Sequence, residues 1–360
     1  MIPISINVIS SILFILLHEM PPYIIDLSVL YCNERKIMIM NNFKYISFSQ
    51  ENPAIININN SENEQLFHYT RMESFFEILR NKKLWVSQAD FLNDSSEIEY
   101  IQKVMLLVAD ELNNGKEIYS NEIDNEGRAL DMFIKCLTIT SKAILEKKGI
   151  TDMEVFILSL TENKDSLNLF TNYSNSDGIA IGFENNLREM FDKNFLDKNK
   201  IMLFHGKVVY DSEQQKEILK QHMLEIYNEL IKNLNKMNIK VVDEKMQLEM
   251  LSEITSILGL YFVNYSIFFK SPYFKAEEEY RVAFGLDRSR HSKMIKFRMR
   301  QGLIVPYIEL KYNEKFIRSL VIGPTNKSDL TEKGLKLYYE NQCNGREIKI
   351  EKSQIPLRAL

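Results

Sequence analysis

Histidine, tyrosine and carboxylate side chains gather in four short segments of this chain, each beside a run patterned as a buried strand. In Leu66-Phe67-His68-Tyr69-Thr70, strand alternation sends His68 to the face opposite Phe67 and Tyr69. Phe91 to Glu97 carries Asn93, Asp94 and Glu97, residues suited to turns and helix caps. Asp165 to Tyr173 is followed by Gly178-Ile179-Ala180-Ile181-Gly182-Phe183. Phe274 to Arg281 holds three successive acids, Glu277, Glu278 and Glu279. Extended backbone here puts Glu277 and Glu279 on one face, with Glu278 opposite, and buries Tyr280, Val282 and Phe284 away from the pair. Two carboxylates so placed can stabilise a developing positive charge or, joined by Asp94 and Glu97, hold a divalent metal in a nuclease. Each residue also has a plainer use. His68 can bond a backbone carbonyl, Tyr173 can fill a core, and Glu279 can pair with Arg281 on a solvated edge for ~0–1 kcal/mol. Arg281 can hold a diphosphate with its forked guanidinium or pair with a neighbouring acid.

Several chemistries lack their signatures. No G-x-x-x-x-G-K-[ST] loop and no G-x-G-x-x-G after a strand are present, so the phosphate-binding loop and the Rossmann fingerprint are missing. H-E-x-x-H, C-x-x-C and G-x-S-x-G are absent too, and the five histidines are scattered, so no zinc site is indicated. A net charge of −4 argues against a general nucleic-acid coat but leaves room for a local basic patch. The three cysteines, Cys32, Cys136 and Cys343, lie far apart and fit buried thiols in a reducing, cytoplasmic setting. Met1 to Leu17 is almost wholly apolar, but no Lys or Arg precedes it and it is shorter than the ~20 residues of a spanning helix. Translation is expected to begin at Met38 or Met40, with a weak membrane anchor as the alternative.

The elements that must position these residues follow from hydrophobic period. Strands are expected at Leu66–Thr70, Leu84–Ser87, Val155–Thr161, Gly178–Phe183, Met202–Tyr210, Glu279–Gly285, Tyr307–Leu310, Ser319–Ile322 and Glu347–Glu351. Helices are expected at Met72–Asn81, Ile98–Leu112, near 126–148, and at Ser328–Glu340 with Ser328 as cap. Two long amphipathic stretches across about 212–269, broken near Asn235–Val242, pattern as an inserted helical hairpin. The expected class is α+β: an extension over 1–65, then one domain over 66–360 with a mixed, mostly antiparallel sheet.

The four segments, in this order, resemble the bacterial domain-of-unknown-function family 2971. Its members show an L-x-H-Y-T-like strand, an N-D-P-x-E turn, a W-x-x-Y…G-x-x-I-G-F stretch and an E-x-E-[YW]-R strand. Gly323-Pro324 fits as well, and the resemblance runs from about Leu66 to the C-terminus. Ser95 stands where the family has Pro, and Phe170 where it has Trp, so any indole hydrogen bond is lost there.

That family pattern in turn resembles the ADP-ribosyltransferases, and the resemblance implies a split sheet and NAD as cosubstrate. It implies that His68, with Tyr69 and Thr70, holds a ribose; that Tyr173 and Phe170 offer aromatic surface to nicotinamide; and that Arg281 meets the diphosphate. Glu279 would stabilise the oxocarbenium-like centre while Glu277 positions a macromolecular acceptor. By analogy it also implies a toxin or phage-defence effector. A nucleotide-sensing binder without turnover, with 212–269 as its partner surface, and the metal nuclease are the alternatives.

Overall fold

A computed structural model describes residues 61, 63–92, 97–115, 128–145, 153–174, 177–236, 254–255, 258–259, 261–263, 265–287, 291–300, 302–325, 327–343 and 346–356. The apolar stretch at 1–17, the alternative starts at Met38 and Met40, and Asn93 to Ser96 lie outside these residues. In chain order the first elements are β1 (Gln65–Thr70), α1 (Met72–Asn81), β2 (Lys83–Gln88), α2 (Glu97–Asn114), α3 (Arg128–Leu145), β3 (Met153–Thr161), α4 (Leu167–Ser174) and β4 (Ile179–Glu184). Then come α5 (Leu187–Met190), α6 (Lys193–Lys198), β5 (Met202–Lys207), α7 (Ser212–Lys236), β6 (Glu279–Asp287) and β7 (Lys296–Arg300). The last are β8 (Leu303–Lys311), β9 (Ile317–Ile322), α8 (Ser328–Gln342) and β10 (Lys349–Lys352). The chain is α+β, and every described strand pair is antiparallel except β9–β10.

Two compact units share these elements. The first takes its described residues from 94–152 and 209–272 and is helical. Ile101, Met105, Val108 and Leu112 make the buried stripe of α2, Leu130, Phe133 and Leu137 that of α3, and Leu219, Met223, Ile226 and Leu230 that of α7. Described residues from 254 to 268 are helical as well, and Phe262, Tyr265 and Phe268 are buried. Gln215 is among the buried polar residues; its amide donates to the carbonyls of Val209 and Lys270, and its oxygen accepts from Tyr100.

The second unit, 55–93, 153–208 and 273–360, holds the sheet. The strand order β10-β9-β4-β1-β3-β2-β8-β7 is joined by β6, which pairs with β3 and β5. β3 therefore carries three neighbours. β6 lies along its whole length, from Met153 opposite Asp287 to Thr161 opposite Glu279. On the other edge, β1 pairs only at Thr161, through Phe67, and β2 only at Ile157 and Phe156, through Ser87 and Gln88. The sheet forks there, and the stretch Leu158 to Leu160 faces the fork. One sheet face, with Leu66, Ile181, Leu158 and Val282, is covered by Phe75, Ile78 and Leu79 of α1 and Leu335 of α8. The other face, with Phe67, Tyr69, Ala180 and Val321, is covered by Leu169 and Phe170 of α4.

The two glycines of Gly178-Ile-Ala-Ile-Gly182 have steric reasons. A Cβ on Gly178 would stand 2.2 Å from the Thr70 carbonyl oxygen, and one on Gly182 2.3 Å from Ser319 Oγ. Backbone and neighbouring strands approach too closely there for any larger residue.

Three expectations need correction. The acids of Phe274–Arg281 do not alternate along a strand: Glu277 ends a 3-10 turn from Pro272, Glu278 is left-handed with φ 45°, and β6 begins at Glu279. The turn removes the strand period that would have put Glu277 and Glu279 on one face. Ser328 is the first residue of α8 rather than its cap; Lys327 takes that position, without a side-chain bond. The strand β7 also joins the sheet, over residues for which the hydrophobic period gives no element.

Candidate functional site

The fork in the sheet leaves one backbone acceptor of β3 without a strand partner on that edge, and a side chain fills the role. His68 Nδ1 lies 3.0 Å from the Ser159 carbonyl oxygen. A carbonyl only accepts, so Nδ1–H donates, and Nε2 of the neutral ring keeps its lone pair. Burial pushes the imidazole below its ordinary value; the Ser159 bond opposes this, and the positive charge of Arg298 adds to it. The carbonyl bond is the structural use noted for His68, yet it also orients Nε2 as an acceptor for a hydroxyl.

This burial sets a sign for the pH dependence of stability. The unfolded chain takes up the His68 proton below the ordinary value of 6.5, while the folded chain resists it. Protons are thus gained on unfolding, and stability falls as the pH drops below about 6.5 towards the depressed folded value. His222, in the helical unit, is depressed by burial too and adds to the fall. We expect His68→Gln, which keeps an N–H for Ser159, to flatten the decline between about pH 7.5 and 5.5, by at most about 1.4 kcal/mol per pH unit. Denaturant titrations at several pH values measure this; an unchanged slope would mean that His68 titrates normally in the fold.

Ser159 also reaches the acid. Its Oγ donates to Glu279 Oε1 at 2.5 Å, while Glu279 Oε2 lies 3.0 Å from Arg281 Nη2. Glu279 is 6 % exposed and Arg281 is fully buried. The Glu279–Arg281 pair is therefore no solvated edge, and the ~0–1 kcal/mol of a surface pair does not apply to it. Arg281 is committed to Glu279 and sits too deep to reach a diphosphate without breaking that pair.

The remaining expected residues lie where α4 and its preceding loop meet the 3-10 turn. Tyr173 donates to Glu277 Oε1 at 2.8 Å, and Asn163 Nδ2 donates to Glu278 Oε2 at 3.0 Å. Tyr69 is buried; its hydroxyl donates to the Asn163 carbonyl at 2.8 Å and accepts from the Ser166 N–H at 3.0 Å. Burial raises the Tyr69 phenol well above its ordinary value, so it stays protonated. Phe170 is fully buried, edge-on to Tyr69 with ring centroids 4.7 Å apart, and Thr70 is buried at the end of β1. Tyr69 and Phe170 thus serve the packing of α4, and Phe170 has no face open to a nicotinamide ring. His68 and Glu279 each bond Ser159, one at its carbonyl and one at its hydroxyl, and Tyr173 and Glu277 form a second pair.

Sequence reasoning missed Ser159, Ser87 and Arg298. Ser159 is the lone hydroxyl inside Val155–Leu160, and a single polar residue in an apolar strand was its signal. Arg298 lies in Lys-Phe-Arg-Met-Arg, an alternation of period two. Its Nη2 donates to Ser87 Oγ at 2.8 Å, and its guanidinium carbon lies 5.4 Å from the Trp85 ring and 5.6 Å from that of Tyr307. A cavity of about 570 Å³ opens at the Gln65 end of β1, bounded by Glu184 and Arg318, and none of His68, Tyr173 and Glu279 lines it. Among the described residues, no group of three metal-ligating side chains stands together, and no helix is long and apolar enough to cross a membrane.

Residues 169–282 match the model of a family described as Protein of unknown function (DUF2971), which supports the family drawn from the motifs. The match contains Phe170, Tyr173, Gly178, Gly182, Glu277, Glu279 and Arg281, while His68 precedes it. No curated protein and no solved structure matches the chain.

Proposed function

We propose that this protein is an NAD-dependent ADP-ribosyltransferase-like enzyme acting on a macromolecular acceptor. One observation carries the reading: at the fork of the sheet, Ser159 joins His68 through its carbonyl and Glu279 through its hydroxyl, although the two residues are far apart in sequence. In this reading His68 Nε2 accepts from a ribose hydroxyl and orients the sugar. The Glu279 carboxylate faces the positive charge that develops as the nicotinamide C–N bond breaks, and a fixed carboxylate stabilises that charge without reorganisation. Tyr173 and Glu277, hydrogen-bonded to one another beside this pair, hold the side from which an acceptor nucleophile approaches. The nucleophile bonds to the anomeric carbon, nicotinamide leaves with the bonding electrons, and Glu277 takes the proton of the nucleophile.

A second reading has its own observation. Both oxygens of Glu279 are engaged, one by Ser159 and one by Arg281, as suits a binder that holds a nucleotide without cleaving it. The full-length chain incubated with NAD separates the two. We expect nicotinamide release and, with lysate and labelled NAD, label on a macromolecule. Nucleotide binding with no nicotinamide release would leave the sensing module in its place.

A further inference from the structure

We infer that Arg298, and not Arg281, is the anion-binding residue of this site and takes the diphosphate of a dinucleotide or nucleoside diphosphate. The inference rests on the nucleotide reading above and adds the residue that would meet the phosphates.

Three other cations of this sheet are paired with acids. Lys83 and Lys296 share Glu309, at 2.7 and 2.9 Å, and Arg281 has Glu279. Arg298 has no carboxylate among the described residues. Its one hydrogen bond goes to the neutral hydroxyl of Ser87, and its buried Nε carries no partner among the described residues. Arg300, a second cation of the same strand, is close enough to disfavour the charge on Arg298. A half-buried guanidinium with a cationic neighbour and no acid is costly unless an anion completes it.

The surroundings hold Arg298 ready for such a ligand. Trp85 and Tyr307 fix the guanidinium, and Ser87 anchors one end, so the planar fork is set before a ligand arrives. Ser87 is paired with Ile157, two residues before Ser159 on the same face of β3. That spacing is about 7 Å along a strand, of the order that separates a ribose from its own 5′-diphosphate. The charge of Arg298 is also felt at His68.

The test titrates the full chain with ADP-ribose, ADP and adenosine by calorimetry. We expect wild type to bind ADP-ribose and ADP more tightly than adenosine. Arg298→Gln should weaken ADP-ribose roughly 10- to 100-fold and leave adenosine unchanged, as suits the loss of a charged hydrogen-bonding pair. Arg298→Lys should fall between. A melt of each variant reports folding; should Arg298→Gln fail to fold, Ser87→Ala removes only the anchor and should still weaken ADP-ribose several-fold. Equal ADP-ribose affinity in wild type and variants, or wild-type binding of adenosine as tight as ADP-ribose, overturns the inference. The transferase reading fails separately: ADP-ribose bound through Arg298 with no nicotinamide released from NAD ends that reading alone. NAD consumed with the same KM by wild type and Arg298→Gln ends the inference alone.

Discussion

Glu279→Gln is expected to lower NAD turnover by ~10²-fold or more and also to destabilise the fold. The first effect follows from removing the charge that stabilises the oxocarbenium-like centre. The second follows from burial. Arg281 is fully buried and its Nη2 is 3.0 Å from Glu279 Oε2, so neutralising the acid removes a charge paired with a guanidinium in the interior. Breaking one partner of such a pair costs about 3–5 kcal/mol, and the glutamine oxygen recovers part of that by accepting from Arg281 or Ser159. Lost turnover in the single variant is therefore ambiguous, and a second variant is needed. Glu279→Leu combined with Arg281→Met removes both charges, and buried pairs replaced together by apolar residues are often neutral or stabilising. We expect that double variant to melt near wild type and to release no nicotinamide. If it does release nicotinamide at the wild-type rate, Glu279 is a structural partner of Arg281 and the catalytic assignment falls. A Glu279→Gln protein as stable as wild type would instead show that the pair contributes little.

Much of the fold was legible because its elements carry their own period. Phe75, Ile78 and Leu79 mark the buried side of α1, and its observed bounds, Met72–Asn81, agree with those expected. β3 and β4 are short apolar runs and were found as such. α4 was not, because eight residues of Leu-Asn-Leu-Phe-Thr-Asn-Tyr-Ser show too little repeat to set a helical face apart from a polar loop. The resemblance singled out His68 and Glu279; in the fold His68 bonds the Ser159 carbonyl and Glu279 the Ser159 hydroxyl. What no local pattern could supply is the fork at β3. It arises from β1 meeting β3 at its last residue and β2 meeting it near the middle, a matter of pairings between residues that are distant in sequence. Ser159, Ser87 and Arg298 owe their places to those pairings. The E-x-E reading failed for a local reason instead: a 3-10 turn and one left-handed residue, Glu278, precede the strand, so Glu277 lies outside its alternation.

Phe170→Ala should be among the most destabilising single changes in the sheet-bearing unit, at about 3–5 kcal/mol. The resemblance gave this ring to nicotinamide, but the fold gives it to Tyr69. The two rings meet edge to face at 4.7 Å and 70°, and Phe67, Leu169, Ala180 and Val321 close around them. Removing the ring opens a cavity beneath Tyr69, whose hydroxyl ties down the Asn163–Ser166 loop through two hydrogen bonds. For a unit of this size the loss corresponds to a fall in melting temperature of roughly 10 °C. The consequence travels along α4 to the site. Tyr173 sits one turn after Phe170, and its bond to Glu277 depends on where that helix lies. Tyr173→Phe is the counterpart: it keeps the aromatic surface and the packing and removes only the 2.8 Å bond to Glu277. Its stability cost should be about 1 kcal/mol, as for one hydrogen bond. Thermal melts of the two variants, paired with calorimetric titration of NAD, separate packing from ligand contact. A Phe170→Ala protein that melts with wild type yet loses NAD affinity would put the ring on the ligand after all. A large loss of stability, with NAD affinity retained in whatever fraction stays folded, would mean that Phe170 holds the helix and the helix holds the site.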